Sequence, residues 1–129
     1  MNEVIAPARL APPVANYAHA VLTTAPARML HTAGVVPVDA AGAVPDRLVD
    51  QAELVWANLA ALLAEAAMGP RDVVSVTTYV VAGEDLGPVM AARDRAMGGH
   101  LAASTLVTVP ALARPEWRVE VSLVAASFD

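Results

Sequence analysis

Residues 73–81 read Val-Val-Ser-Val-Thr-Thr-Tyr-Val-Val, a run of mostly β-branched side chains that predicts a strand. Both faces of this strand carry apolar residues, so we expect it to be central in its sheet and covered on both sides. A helical pattern stands on each side of it along the chain. The segment therefore predicts a sheet whose middle strand lies between two helices in sequence.

The helix before this strand is predicted over Arg47–Met68, with Asp46 as its N-cap and Gly69-Pro70 as its stop. Apolar residues recur along it at helical spacing and predict one buried face. They are Leu48, Ala52, Val55, Leu59, Leu62 and Ala66. The helix after the strand begins near Glu84 and Asp85, runs to Met97 and ends at Gly98-Gly99.

The outer segments predict further strands. Residues 1–16 are rich in proline and alanine, and we expect an irregular arm there. Strands are expected at Tyr17–Thr24 and Met29–Gly34, joined by a hairpin-like connection, and at Ser104–Val109 and Glu116–Ala126. In the last of these, Trp117, Val119, Val121 and Leu123 alternate with polar residues, so we expect Trp117 in the core.

The order ββ-α-β-α-ββ predicts one α/β domain over residues 1–129. Its class is a two-layer α+β fold, with a mixed sheet and two long helices packed on one face. The chain is 57% apolar, more than a lone domain of 129 residues needs. This surplus favours subunit association, although enrichment in alanine and valine accounts for part of it.

Composition excludes several classes of chemistry. Cysteine is absent, which excludes disulfides and thiolate catalysis, and lysine is absent, which excludes a Schiff base with pyridoxal phosphate. The net charge is −5 and the arginines are scattered, so nucleic acid is not an expected partner. Met1–Leu10 lacks a signal-peptide block and no apolar run would span a membrane, so we expect a cytoplasmic protein with no membrane partner. His19, His31 and His100 lack metal-ligand spacing, and no metal is expected.

Several segments, in this order, resemble the RidA/YjgF family of imine and enamine deaminases. They are Ala11–Pro13 ahead of Tyr17, His31–Asp39, Gln51 and Asn58 on the first helix, Asp72–Val80, Leu101–Val109 and Arg118–Ala125. The resemblance covers nearly the whole chain. It implies a homotrimer with clefts between subunits, each binding a small carboxylate-bearing ligand. In deaminating members an arginine binds the carboxylate, and a glutamate-held water with a backbone group hydrolyses an imine such as 2-iminopropionate. No cofactor or metal is implied, and some members carry an endoribonuclease label.

Three residues match the family's cleft. Tyr17 matches the tyrosine of the cleft wall, although an aromatic packed in an edge strand is the structural alternative. Gly34 matches a cleft glycine, where the absence of Cβ lets backbone approach a ligand; a strand-ending glycine is the alternative. Glu120 matches the glutamate that orients water, because a carboxylate accepts a hydrogen bond and transfers a proton. The alternative for Glu120 is a solvated strand face.

Three other positions depart from the family. Ser104 stands in place of the arginine, Ala33 in place of a serine, and Met90 where many members have asparagine. Serine offers one neutral hydroxyl, whereas arginine binds a carboxylate with two charge-assisted hydrogen bonds. Losing such a partner costs about 2–5 kcal/mol at a desolvated site. We therefore expect 2-imino acids to bind poorly.

Other charged side chains are possible substitutes. Arg114 lies in a predicted turn, Arg118 shares a strand face with Glu120, and Arg93 lies on the second helix. For Arg118 the alternative is a pair with Glu120 or solvent. His31 shares parity with Ala33 and either points into the cleft or is an ordinary strand histidine.

Two functions remain open from the sequence. The first is an enzyme that hydrolyses or rearranges an imine or enamine of a specialised pathway, with Glu120 and Tyr17 catalytic and Gly34, Ala33, Ser104, Met90, Arg114 and Arg118 contacting the ligand. The second is a non-catalytic trimer that binds a metabolite or a partner protein. The missing arginine favours the second, and the retained Tyr17, Gly34 and Glu120 favour the first.

Overall fold

Two helices packed on one face of a four-stranded mixed sheet form the body of the protein, as a computed structural model of residues 1–129 describes it. The elements run in the order β1 Asn2–Ile5, β2 Ala20–Thr23, β3 Arg28–His31, α1 Leu48–Glu65, β4 Val73–Val81, α2 Leu86–Met97, β5 Ala103–Val109 and β6 Val119–Ser127. The predicted two-layer class is confirmed. None of the helices is both long and apolar enough to cross a membrane.

The main sheet has the strand order β3-β6-β4-β5, in which β4 and β5 are parallel and the other pairs antiparallel. Strand β4 has the predicted bounds and the predicted central place. Its partners β5 and β6 follow it in sequence, and the helix α2 makes the parallel crossover between β4 and β5.

The core lies between this sheet and the helices. From the sheet it receives Val76 and Val80 of β4 together with Val119, Val121 and Leu123 of β6. The helices contribute apolar side chains from the facing stripes, namely Leu48, Ala52, Val55, Trp56, Leu59 and Leu63 of α1 and Val89, Ala92 and Met97 of α2.

The other face of the sheet, which we call the open face, is covered by no helix. Ser75, Thr77 and Tyr79 of β4 lie on it half-buried, and Val107 of β5 is 41% exposed. The expectation that both faces of β4 are covered therefore holds for one face only within a single chain. This face is the surface on which a second subunit has room to pack.

The N-terminal third differs most from the prediction. Asn2–Ile5, expected to be irregular, forms strand β1 and pairs with β2 in a separate two-stranded sheet. Strand β3 pairs with β6 and not with β2, so the expected hairpin between them is wrong. The β propensity of each segment is local, whereas the choice of partner strand depends on contacts distant in sequence.

Helix boundaries were predicted with mixed success. Arg47 and not Asp46 is the N-cap of α1, without a side-chain cap, and Ala67 turns left-handed (φ 55°), so that the helix ends before Gly69-Pro70. Leu62 is 42% exposed, and the apolar stripe passes through Leu63 instead. For α2 the prediction is confirmed, because the Asp85 side chain accepts from the amide of Gly87 (2.9 Å) and a left-handed Gly98 closes the helix.

The last strand begins at Val119, three residues later than predicted, so Trp117 lies before it and outside the main core cluster. Gln51 explains this start. Its buried amide donates to the carbonyls of Pro45 and Glu116 (both 2.8 Å) and accepts from the amide of Arg118 (2.9 Å). These bonds hold the residues ahead of β6 against helix α1, although the carbonyl of Arg118 still accepts from the amide of Val81 on β4 (3.0 Å).

Replacing Gln51 with leucine is expected to lower the free energy of unfolding by roughly 2–4 kcal/mol, because buried backbone groups lose their partners. Glu65→Leu, at the exposed end of the same helix, is the matched control and is expected to change it by less than about 0.5 kcal/mol. Urea denaturation followed by circular dichroism measures both. Equal stability of the two variants would contradict the role given to Gln51.

Candidate functional site

The Glu120 side chain lies directly over the backbone of Gly34. A Cβ at residue 34 would meet the Glu120 carboxylate oxygen Oε2 and would stand 2.7 Å from Cδ and 3.1 Å from Cγ. Any side chain at residue 34 would therefore displace the carboxylate. The two positions that match the family from distant parts of the sequence are in contact within one chain.

Strand pairing places these two residues together. The amide of Thr32 donates to the carbonyl of Leu123 (3.0 Å), and Val35 exchanges hydrogen bonds with Val121 (2.7 and 3.1 Å). Three residue steps from Thr32 to Val35 are thus matched by two from Leu123 to Val121. The extra residue pushes Ala33 and Gly34 out of the ladder, in the manner of a bulge.

The Glu120 carboxylate is chemically available. Val119 and Val121 point into the core, so Glu120 points to the open face, where Tyr79 is its partner on β4. The carboxylate is half-buried, makes no ion pair and accepts no hydrogen bond within the chain. A carboxylate in that condition can hold a water molecule and take a proton from it.

A second group of residues lines a cavity of about 240 Å³, which we call the Ser104 pocket. Tyr17, Met90 and Ser104, three of the residues selected from the sequence, lie together here. The remaining lining residues are Val14, Ala15, Arg93 and Leu106. The pocket is mostly apolar, with polar groups from Tyr17, Ser104 and Arg93.

Two contacts bring the Tyr17 segment to this pocket. The amide of Ala18 donates to the carbonyl of Ala102 (2.9 Å), which places residues 17 and 18 beside the start of β5. The side-chain amide of Asn16 donates to the Asp94 carboxylate (3.0 Å), which joins the same segment to α2. The Tyr17 ring packs edge-on against the His19 ring, with centroids 5.7 Å apart.

From the sequence Arg93 was only one of three possible substitutes for the missing arginine, whereas the structure places it in the Ser104 pocket. Its side chain is nearly buried, with 7% exposed, and its Nε and Nη2 donate to one oxygen of Asp94 (3.1 and 3.0 Å). The signal was present in the sequence, because Met90 and Arg93 are three residues apart on one helix and so share a face.

The other two arginines lie elsewhere. The expected pair of Arg118 with Glu120 does not form. The Arg118 guanidinium instead contacts the Glu84 carboxylate (3.3 Å) and the carbonyl of Asp46. Arg114 is exposed, lies over the Trp117 ring (5.8 Å) and lines a separate cavity with that ring. Neither arginine lines the Ser104 pocket.

The remaining candidates lie at the open face. His31 on β3 is exposed and is paired with Val124 of β6, which puts it on the same face as Glu120. Ala33 is exposed next to Gly34. No three histidine, aspartate or glutamate side chains are grouped so that they would hold a metal ion.

The two groups do not meet within one chain. Ser104 is the neighbour of Val76, whose side chain is in the core, so Ser104 faces the helix layer, whereas Glu120 faces the open side. Strand β4 also separates their two strands, which lie about 10 Å apart across the sheet. Ser104 is opposite Val76 and Glu120 is opposite Tyr79, so the two residues are also three positions apart along β4. A ligand that touches both groups would need one group from each of two subunits.

The chain matches the family model described as Endoribonuclease L-PSP over residues 8–127. No curated protein matches it. Among solved structures it is similar to YyfB, a Rid-family protein from Yersinia pestis, at 34% identity over 97% of this chain and 98% of that one, with a TM-score of 0.86. It is also similar to NMB1025, a YjgF-family protein from Neisseria meningitidis, at 26% identity over 88% of each chain, with a TM-score of 0.70.

The fold also recurs in TdcF from E. coli, solved with bound serine, at 20% identity over 96% of this chain and 98% of that one, with a TM-score of 0.71. The family model covers most of the chain, and YyfB matches it from end to end. The chain therefore belongs to the Endoribonuclease L-PSP family, the family of the YjgF and Rid proteins.

Proposed function

We propose that this protein binds a small nitrogenous metabolite in clefts between the subunits of a homotrimer and hydrolyses or rearranges an imine or enamine there. The observation that carries the proposal is the unpaired Glu120 carboxylate lying against the Gly34 backbone. This contact keeps a proton acceptor beside an exposed stretch of main chain, which is an arrangement suited to water-dependent chemistry. Glu120 has no structural partner that would otherwise explain a carboxylate at this place.

Association is part of the proposal because one chain holds only separated halves of the cleft. The open face of the sheet carries exposed apolar side chains, including Met29 and Val107. Packing this face against neighbouring subunits would remove them from water and would bring Glu120 of one chain toward the Ser104 pocket of the next. The surplus of apolar residues in the sequence supports the same arrangement.

The proposed reaction is a hydrolysis without a cofactor. Water held by Glu120 attacks the carbon of the C=N bond, and its proton passes to the carboxylate as the new C–O bond forms. The proton then moves to the nitrogen to give a carbinolamine. The Glu120 carboxylate next transfers the hydroxyl proton of this adduct to the nitrogen as the C–N bond breaks, and the products are a carbonyl compound and ammonia or an amine. Tyr17 is proposed to border the substrate in the adjoining pocket.

Three substitutions limit which imine this protein accepts. An arginine of the family's cleft is replaced by Ser104, and two polar side chains, a serine and an asparagine, are replaced by Ala33 and Met90. A 2-imino acid, whose carboxylate is bonded to the imine carbon, loses its strongest partner at residue 104. We propose weak or no activity on 2-iminopropionate.

A non-catalytic trimer that binds a metabolite or a partner protein is the second candidate. The apolar lining of the Ser104 pocket favours it, because binding to such a lining requires no chemistry. This candidate predicts that a bound ligand raises the melting temperature without being converted. Detection of a product from that ligand would remove it.

Glu120→Gln is expected to reduce hydrolysis of any accepted imine by about 10²–10⁴-fold, because the amide does not take a proton from water. The assay is carbonyl release from a panel of imines generated in situ by amine oxidases as well as an amino-acid oxidase, so that the panel includes imines whose carbon bears no carboxylate. Glu65→Gln, on the exposed end of α1, is the matched control and should retain full activity. A panel that decays at the buffer rate with and without the wild-type protein would refute the enzyme proposal.

Gly34→Ala is expected to lower the same rate by on the order of a hundredfold, because the methyl group displaces the Glu120 carboxylate. The melting temperature should change little, since the displaced atoms are the flexible end of a side chain. Gly69→Ala is the control, because nothing lies within 4 Å of a Cβ there. Unchanged turnover in Gly34→Ala would show that the contact has no part in the reaction.

For 2-iminopropionate, wild-type protein should barely accelerate pyruvate release, and Ser104→Arg should increase it by roughly thirtyfold or more. The increase reflects the returned bidentate partner for the carboxylate. Lactate dehydrogenase coupled to NADH oxidation measures the pyruvate. Rapid release by the wild type would show that Ser104 is no handicap.

A further inference from the structure

The guanidinium of Arg93 is only partly used by the protein. Two of its five N–H groups bind Asp94, and Nη1 has no hydrogen-bond partner in the chain. Nη1 is not fully enclosed, so this unpaired group retains access to solvent. Arg93 lines the Ser104 pocket and its side chain is 93% buried, and we infer that its free donors face this pocket.

A nearly buried arginine is costly unless its charge is met. Asp94 meets it in part, from the side of the helix facing Asn16, while Met90, Leu106 and Val14 form apolar walls on the pocket side. Low polarity around the free donors strengthens their attraction for an anion. The Arg93 guanidinium is thus held in place by the Asp94 carboxylate and has free donors for the carboxylate of a ligand.

We propose that Arg93 is the carboxylate-binding residue of this protein, in place of the arginine missing at residue 104. The assignment rests on the proposed function, in that the Ser104 pocket is taken as half of the ligand cleft. The positive group has moved from strand β5 to helix α2. The short Ser104 side chain leaves the space through which a ligand reaches it.

The position of Arg93 on α2, and not on β5, predicts how far the carboxylate of the ligand lies from its C=N carbon. The carboxylate must enter the pocket to meet Arg93, while the C=N carbon stays beside Glu120 outside it. A 2-imino acid has no atoms between these two groups. The fitting ligand carries its carboxylate on a short apolar chain that contacts Met90 and Leu106. A cavity of about 240 Å³ is below the size of whole-ligand pockets, roughly 300–1,000 Å³, and suits one end of such a molecule.

Ketones that replace the imine nitrogen with oxygen are stable probes of this inference. We compare 4-oxopentanoate, its amide 4-oxopentanamide, and pyruvate, by calorimetric titration of the full-length protein. The wild type should bind 4-oxopentanoate at least about tenfold more tightly than either other probe, because only this probe places a carboxylate at Arg93. An equal affinity for acid and amide would overturn the proposal.

Variants of the ion pair make the test specific. Arg93→Met should reduce binding of the acid to the level of the amide, whereas Arg71→Met, which removes an exposed arginine outside the candidate site, should change nothing. Asp94→Asn should tighten binding of the acid at least about fivefold, because a competing negative charge is lost. An acid preference that survives in a folded Arg93→Met protein, or an Asp94→Asn protein with unchanged affinity, would contradict the assignment.

If Arg93→Met does not fold, Arg93→Lys takes its place, since lysine keeps a positive charge beside Asp94 but cannot form two parallel hydrogen bonds and should still weaken binding of the acid. The binding test is also independent of turnover. Acid preference in a protein that hydrolyses no imine would keep the Arg93 assignment and remove the hydrolase. If Arg93→Met hydrolyses an imine as fast as the wild type does, the hydrolase proposal is kept and the Arg93 assignment is removed.

Discussion

The two-residue period of strand β6 is the constraint on which the site depends. Val119, Val121 and Leu123 are buried against the helices, so Glu120 must point to the opposite face. Because β6 pairs with both β3 and β4, a slip of one residue would reverse every side chain and bury the carboxylate in the core. The hydrogen bond from the Arg118 amide to Gln51 holds the chain one residue before this strand and so supports its register.

A single sheet then divides the functional residues between its two faces. Side chains facing the helices meet α2, and this is how Ser104 comes to lie near Met90 and Arg93. The side chain facing away, Glu120, lies over the Gly34 backbone. This division is the physical reason for proposing a cleft between subunits, since atoms on opposite faces of one sheet never surround the same small ligand.

The arginines illustrate how chemistry can move within a fold. A guanidinium acts through the position of its donors, and different backbone positions can deliver it to the same pocket. Arg118 is engaged by Glu84 and Asp46, and Arg114 lies on Trp117, so both are occupied outside the Ser104 pocket. Arg93, held by Asp94, is the arginine that lines it.

Sequence alone determined the elements with strong local signals: the β-branched run of β4, the Asp85 cap and Gly98 end of α2, and the alternation in β6. It also identified the family, whose pattern links Tyr17, Gly34 and Glu120. Pairing of β1 with β2, the late start of β6 and the exposure of Leu62 were not predictable, because each depends on which distant segment packs nearby. Only the tertiary structure decided that the Glu120 carboxylate lies against the Gly34 backbone and that Arg93 shares a pocket with Ser104. Such contacts join residues far apart in the chain, and local propensity carries no information about them.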